Sequence, residues 1–185
     1  AVCSGQGIDN VLPQELENVD IEEKLGSNVN LDLEFTAENG YQVPLRKFFS
    51  SGKPVILNLV YYRCPMLCNL VLNGQTEALK DLAWTVGDQF EVVTISIDPQ
   101  EGFNLAQAKK KWYLETYGRS QAAEGWHFLT DHQGNVARLA EQVGFRYKWD
   151  PRQQQWAHAA AIMLLTPDGR VSRYLYGVRF KERDL

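Results

Sequence analysis

Cys64 and Cys68 are the residues whose type and spacing point most directly to chemistry. They stand four apart in Arg63-Cys64-Pro65-Met66-Leu67-Cys68, directly after the apolar run Pro54–Tyr62. Small and apolar residues then recur at helical spacing through Leu67, Leu70, Val71, Gly74, Ala78 and Leu82. The pair therefore sits where a buried strand gives way to a helix. A helix N-terminus carries unpaired N–H groups and partial positive charge. That setting favours thiolate over thiol, most strongly at the more N-terminal cysteine. Pro65 suits a first helical turn, where its missing N–H costs nothing. Residues four apart on a helix share a face, so both sulfurs can point the same way. Two close thiolates can cycle between dithiol and disulfide, or hold a soft metal. A redox pair is usually Cys-x-x-Cys, whereas three residues intervene here, so spacing alone leaves both chemistries open.

The elements that must position the pair follow from periodicity. Val29, Leu31, Leu33 and Phe35 alternate with polar residues, a half-buried strand. Glu38-Asn39-Gly40 is a turn, and Tyr41–Pro44 returns as its hairpin partner. Leu45–Phe49 fits a short helical turn. Pro54–Tyr62 reads as a central strand buried on both faces, and Phe90–Ile97 as a second. Leu105, Ala108, Trp112 and Tyr117 mark a helix that Gly118 stops. Trp126–Thr130 is a short strand. Val136, Leu139, Ala140 and Val143 form a helical stripe ended by Gly144. Phe145–Trp149 can be a strand before a polar loop at Asp150–Gln155. Ala159–Thr166 and Val171–Tyr176 pair across the Pro167-Asp168-Gly169 turn. Strands alternating with helices, then a terminal hairpin, indicate an α/β fold with a mixed sheet and helices on both faces. Residues 1–27 read as an irregular leader and residues 28–185 as one domain.

The totals agree. A chain of 185 residues that is 44% hydrophobic suits one domain with a sizeable core, needing neither disulfide nor metal merely to fold. A formal charge of −4 argues against a nucleic-acid partner. The single basic run, Lys109–Lys111, reads as a solvated helix face. No stretch approaches the ~20 apolar residues that span a bilayer. The N-terminus lacks a basic segment followed by an apolar one. Cys3 lies in a glycine-rich stretch. Its default reading is a free surface thiol, and its alternative is the remnant of a lipid-attachment site.

Cys64-Pro65-x-x-Cys68 after an apolar strand resembles the Sco/SenC family, thioredoxin-fold copper proteins of cytochrome c oxidase assembly. The resemblance runs from about Leu31 to Leu185. It takes in Val43-Pro44-Leu45, Ser96-Ile97-Asp98-Pro99, and a histidine just before the Ile162–Pro167 strand with its Asp168-Gly169 turn. It implies a thioredoxin-like α/β fold with an N-terminal β-hairpin extension, and a copper site of Cys64, Cys68 and His158. The chain departs from the family at Met66, where many members have Asp, and at Asn69, where many have Pro. The segment between Asp98 and Phe103 lacks the usual acidic-threonine run. The family also continues into a final helix beyond Arg183-Asp184-Leu185.

The remaining residues are weighed against that frame. His158 alone, between Ala157 and Ala159, would read as a structural histidine; the resemblance makes it a ligand. Two thiolates and an imidazole suit Cu(I) and tolerate Cu(II), whereas zinc prefers a fourth ligand. A ligating histidine needs an acceptor for its other ring nitrogen, which the sequence does not reveal. His127 and His132 read as structural or exposed. Asp98 reads first as a loop cap and second as a residue behind the metal. Met66 reads first as a packing or partner-contact residue and second as a thioether ligand. Tyr61, Tyr62 and Trp156 either line the mouth of the site or belong to the core.

The resemblance implies a copper metallochaperone rather than an enzyme in the strict sense. Its partner would be a copper-receiving oxidase subunit or another copper carrier. Its location would be the bacterial periplasm, on a membrane tether absent from this chain. The alternative is a thiol-disulfide oxidoreductase in which Cys64 attacks and Cys68 resolves. Thioredoxin relatives usually set a cis-proline opposite the pair; here His158 takes that place, which favours metal. A peroxidase on the same fold ranks last, because Tyr61-Tyr62-Arg63-Cys64 has no threonine hydroxyl in the active loop.

Overall fold

The computed structural model describes residues 19–185. Cys3 lies outside them. Two short strands, β1 (Glu34–Thr36) and β2 (Gln42–Pro44), pair antiparallel as the entry hairpin. A 3-10 turn at Leu45–Phe48 follows. The central unit then alternates: β3 (Val55–Val60), α1 (Leu67–Asp81), β4 (Glu91–Ser96), α2 (Phe103–Tyr117), β5 (Trp126–Leu129) and α3 (Asn135–Gln142). A second hairpin, β6 (Tyr147–Asp150) and β7 (Gln155–His158), precedes the closing pair β8 (Ala161–Leu165) and β9 (Val171–Tyr176).

The main sheet has the order β5-β4-β3-β8-β9. β3, β4 and β5 run parallel, while β8 and β9 run antiparallel to them and to each other. Every residue of β3 and β4 is buried, so layers cover both faces, as their continuous apolar runs require. Tyr113 of α2 stacks on Phe128 of β5 at 5.8 Å, and Trp126 lies against both. These rings form much of the core on that side.

Three expectations are adjusted by packing. The alternation from Val29 to Phe35 is a burial pattern more than a strand, since only residues 34–36 enter a ladder. In α2 the buried stripe is Ala106, Tyr113 and Tyr117, while Trp112 and Ala108 face solvent. A polar hydroxyl hides Tyr113 from a hydrophobic count, yet its ring carries the packing. In α1 the buried stripe includes Cys68, Val71, Leu72 and Leu79, and Leu70 is exposed at the open sheet edge.

Residues 20–29 are irregular but tied down. Ile21 is buried and bridges to Phe145. The Glu22 N–H donates to the Gly144 carbonyl at 2.9 Å, and the Arg146 N–H to the Asp20 carbonyl at 3.0 Å. This segment braces the base of the β6–β7 hairpin, whose ladder is not shared with the main sheet. Gly144 has φ of 64°, and a Cβ there would overlap the Glu22 carbonyl oxygen. Gly144→Ala should therefore lose about 1–3 kcal/mol, combining left-handed strain with that clash. An unchanged urea midpoint would show that the brace contributes nothing.

Candidate metal centre

Strand direction brings the candidate residues to one sheet edge. β3 and β4 are parallel and in register from Val55↔Glu91 to Val60↔Ser96, so both leave the sheet at the same end. The cysteine loop follows β3, and the turn Ile97–Gly102 follows β4. β8 is antiparallel to β3, with Leu57 opposite Met163, so its start lies at that same end. His158 ends β7, just ahead of β8, and pairs with Tyr147 across the hairpin. It belongs to this second hairpin rather than to the strand that follows.

Cys64, Cys68 and His158 are all buried, at 6%, 1% and 7% exposure. Neither cysteine is in a disulfide. Cys68 Sγ lies 2.9 Å from His158 Nε2. Cys64 Sγ accepts the Cys68 backbone N–H at 3.3 Å, and Cys68 Sγ accepts that of Tyr61 at 3.5 Å. α1 has Met66 at its N-cap and no side-chain cap from that residue. The Cys64 sulfur serves instead, taking an N–H that the first turn would otherwise leave unpaired. The loop is further held by Asn69, whose Nδ2 donates to the Cys64 carbonyl at 3.0 Å. Lys109 Nζ in turn donates to Asn69 Oδ1 at 3.0 Å.

The two thiols are electrostatically unequal. Hydrogen bonding from Cys68 lowers Cys64 to about 3 against the opposing effect of burial; His158 and the N–H groups of Cys68 and Met66 lower it further. Burial pushes the Cys68 thiol well up, and sharing its proton with Cys64 raises it further. The resting pair is therefore one thiolate and one thiol. On His158, Nδ1 lies 2.8 Å from the Ala159 carbonyl. A carbonyl only accepts, so Nδ1 carries a proton and Nε2 is the ring atom turned to Cys68. This supplies the acceptor that a ligating imidazole requires. Tyr61 sets its ring edge-on to His158 at 6.1 Å, and Phe145 packs on the imidazole at 5.8 Å. Burial, with Cys64 second, raises the Tyr61 phenol.

Among the described residues, no three Cys, His, Asp or Glu side chains already enclose an ion. The donor types nevertheless fit a soft metal, and Cys68 and His158 are in contact. An ion about 2.0–2.3 Å from each donor would open the 2.9 Å Cys68–His158 contact and displace the Cys68 proton.

Other sequence candidates fall elsewhere. Asp98 works within its own turn: its N–H donates to Ser96 Oγ at 3.1 Å, and its Oδ1 accepts from the Gln100 N–H at 2.9 Å. Tyr62 points into the core, where its hydroxyl reaches the carbonyls of Thr94 and Leu129. Trp156 meets Tyr147 and Trp149 on the second hairpin. Met66 is 67% exposed, so it packs into no core and stands at the rim. His127 lies 3.7 Å from Glu91 and against Phe48, and the exposed His132 contacts the Pro99 carbonyl.

The family model described as SCO1/SenC matches residues 22–183. The chain belongs to this family. No curated protein matches it by sequence. Among solved structures, one from Aquifex aeolicus VF5 has a TM-score of 0.76 at 23% identity, over 87% of this chain and 89% of that one. ScoI of Bradyrhizobium japonicum, solved with copper bound, has a TM-score of 0.61 at 22% identity, over 86% and 94%. BsSco, a member of the Sco family of cytochrome c oxidase assembly proteins in which a disulfide switch was identified, has a TM-score of 0.65 at 21% identity, over 91% and 92%. The fold expected from the sequence is thus the fold found.

Within this Sco/SenC chain the sequence reading passed over Glu101. It is fully buried behind the cysteine loop and accepts the N–H groups of Tyr62 and Arg63, each at 2.7 Å. Its only sequence signal is an acidic residue in the turn after the second buried strand.

The unequal thiols have a direct readout. Iodoacetamide should label Cys64 and spare Cys68. The rate at Cys64 should change by less than about twofold between about pH 8 and about pH 6, where a free thiol slows roughly 75-fold. A fall as steep as a free thiol's would overturn the assignment of the resting thiolate.

Proposed function

We propose that this chain binds one copper ion through Cys64, Cys68 and His158 and delivers it during cytochrome c oxidase assembly. The observation that carries this reading is the buried contact between Cys68 Sγ and His158 Nε2, with Cys64 capping the same helix turn. Two sulfurs and one imidazole suit Cu(I) and accommodate Cu(II). Membership of the SCO1/SenC family supports the metal, and the copper-bound relative supports it further. Delivery proceeds by exchange of ligands with a copper-receiving oxidase subunit or another copper carrier. No covalent change of a substrate is needed for delivery, so in this reading the chain acts as a chaperone. Exposed Met66 and Arg63 beside buried Cys64 leave the loop open to a partner from outside. We place the protein in the bacterial periplasm, tethered to the inner membrane. Among the described residues no helix is long and apolar enough to cross a membrane.

One observation favours a second reading. A lowered Cys64 beside a protonated Cys68 is the arrangement of an attacking and a resolving thiol. As an oxidoreductase the chain would reduce cysteines of a partner, a step that also prepares them for copper.

Anaerobic titration of the reduced protein with Cu(II) separates the two. One equivalent should bind with intense thiolate-to-copper charge-transfer bands, and His158→Ala should lose or alter them. Failure to bind Cu(I) or Cu(II), with a readily cycling Cys64–Cys68 disulfide, would replace the chaperone with the oxidoreductase.

A further inference from the structure

The cysteine loop has a weak point that the ligands themselves do not cover. β3 ends at Val60 and α1 begins at Leu67. The N–H groups of Tyr62 and Arg63 fall between the two elements, with neither a ladder partner nor a helical one. A buried N–H without an acceptor is costly, so the conformation survives only if something outside supplies one. Glu101 supplies both. Its Oε1 accepts from the Arg63 N–H and its Oε2 from the Tyr62 N–H, each at 2.7 Å. Oε2 also accepts from Ser96 Oγ at 2.6 Å.

Glu101 is at 0% exposure. A carboxylate taken wholly from water is tolerated only when hydrogen-bonded. Among the described residues its three donors lie on the cysteine loop or on β4, and none is a Lys or Arg side chain. The turn that carries it is itself set by Asp98, whose carbonyl accepts the Glu101 N–H at 3.1 Å. The register between β3 and β4 puts this turn beside the loop, with the Ile97 N–H donating to the Val60 carbonyl at 2.7 Å.

We propose that Glu101 is the positioning residue of the cysteine loop: by gripping the Tyr62 and Arg63 N–H groups it sets where Cys64 stands relative to Cys68 and His158. It makes no hydrogen bond to a ligand sulfur; its hold on the loop is through the backbone, and its charge reaches Cys68 only at a distance. The inference rests on the copper reading for its metal-binding consequence, but its effect on the sulfur pair holds whether or not copper is the cargo.

Glu101→Gln is the informative change. It keeps size and shape, but its amide NH2 must face one of the two N–H donors, so one grip is lost. The folded variant, checked by circular dichroism, should bind copper about 10–100-fold more weakly, as loss of a partner behind a ligand does elsewhere. Its thiolate-to-copper band should also shift, which lowered stability alone would not cause. Without copper, the equilibrium constant of the Cys64–Cys68 disulfide against glutathione should move by at least about tenfold. If wild type binds no copper, the chaperone reading falls, while this equilibrium still decides the role of Glu101. If Glu101→Gln does not fold, Ser96→Ala serves instead. It removes one of the three bonds and should move both readouts about threefold in the same direction. A folded variant with wild-type copper affinity, spectrum and disulfide equilibrium would overturn the proposal.

Discussion

The contact between Cys68 and His158 joins residues ninety positions apart, and the candidate site depends on it. It exists because β3 has unlike neighbours. Parallel β4 ends where β3 ends, and antiparallel β8 begins there. A strand end, a helix start and a strand start therefore converge on one sheet edge, the place where α/β sheets present their ligand-binding residues. The ladder fixes this convergence to within a residue, because a slip of one would turn every side chain to the other face. The buried strands thus bring the segments of the site to one edge.

The same edge concentrates unfavourable groups. It holds a buried thiolate, a buried thiol, a buried imidazole and a carboxylate at zero exposure. Each is tolerated because hydrogen bonds replace the water it lost. Cys64 accepts from a helix turn, His158 donates to Ala159, and Glu101 accepts from the loop. A soft metal cation taking both sulfurs would have to displace the Cys68 proton, so its binding would strengthen as pH rises.

Much of this was legible in the sequence, for identifiable reasons. β3 and β4 announce themselves as unbroken apolar runs, and α3 as a clean stripe through Val136, Leu139 and Ala140. Cys64 and Cys68 stand out by residue type. His158 was nameable only through the family resemblance, since no local pattern marks an imidazole that meets a sulfur ninety residues away. Its place on β7 rather than at the head of β8 was missed, because a hairpin paired only with itself leaves a weak pattern. Tyr113 and Glu101 were missed because each is a polar residue type in a buried position. Their roles come from tertiary neighbours, Trp126 and Phe128 for one and the Tyr62–Arg63 backbone for the other. Periodicity reports which face is buried, and it is silent about which buried polar atom meets which donor.

The most direct measurement of the central claim is X-ray absorption at the copper edge of the loaded protein. The account predicts scattering from two sulfurs and one imidazole nitrogen, with the nitrogen contribution lost and both sulfurs kept in His158→Ala. A shell of nitrogen and oxygen alone, without sulfur, would contradict it.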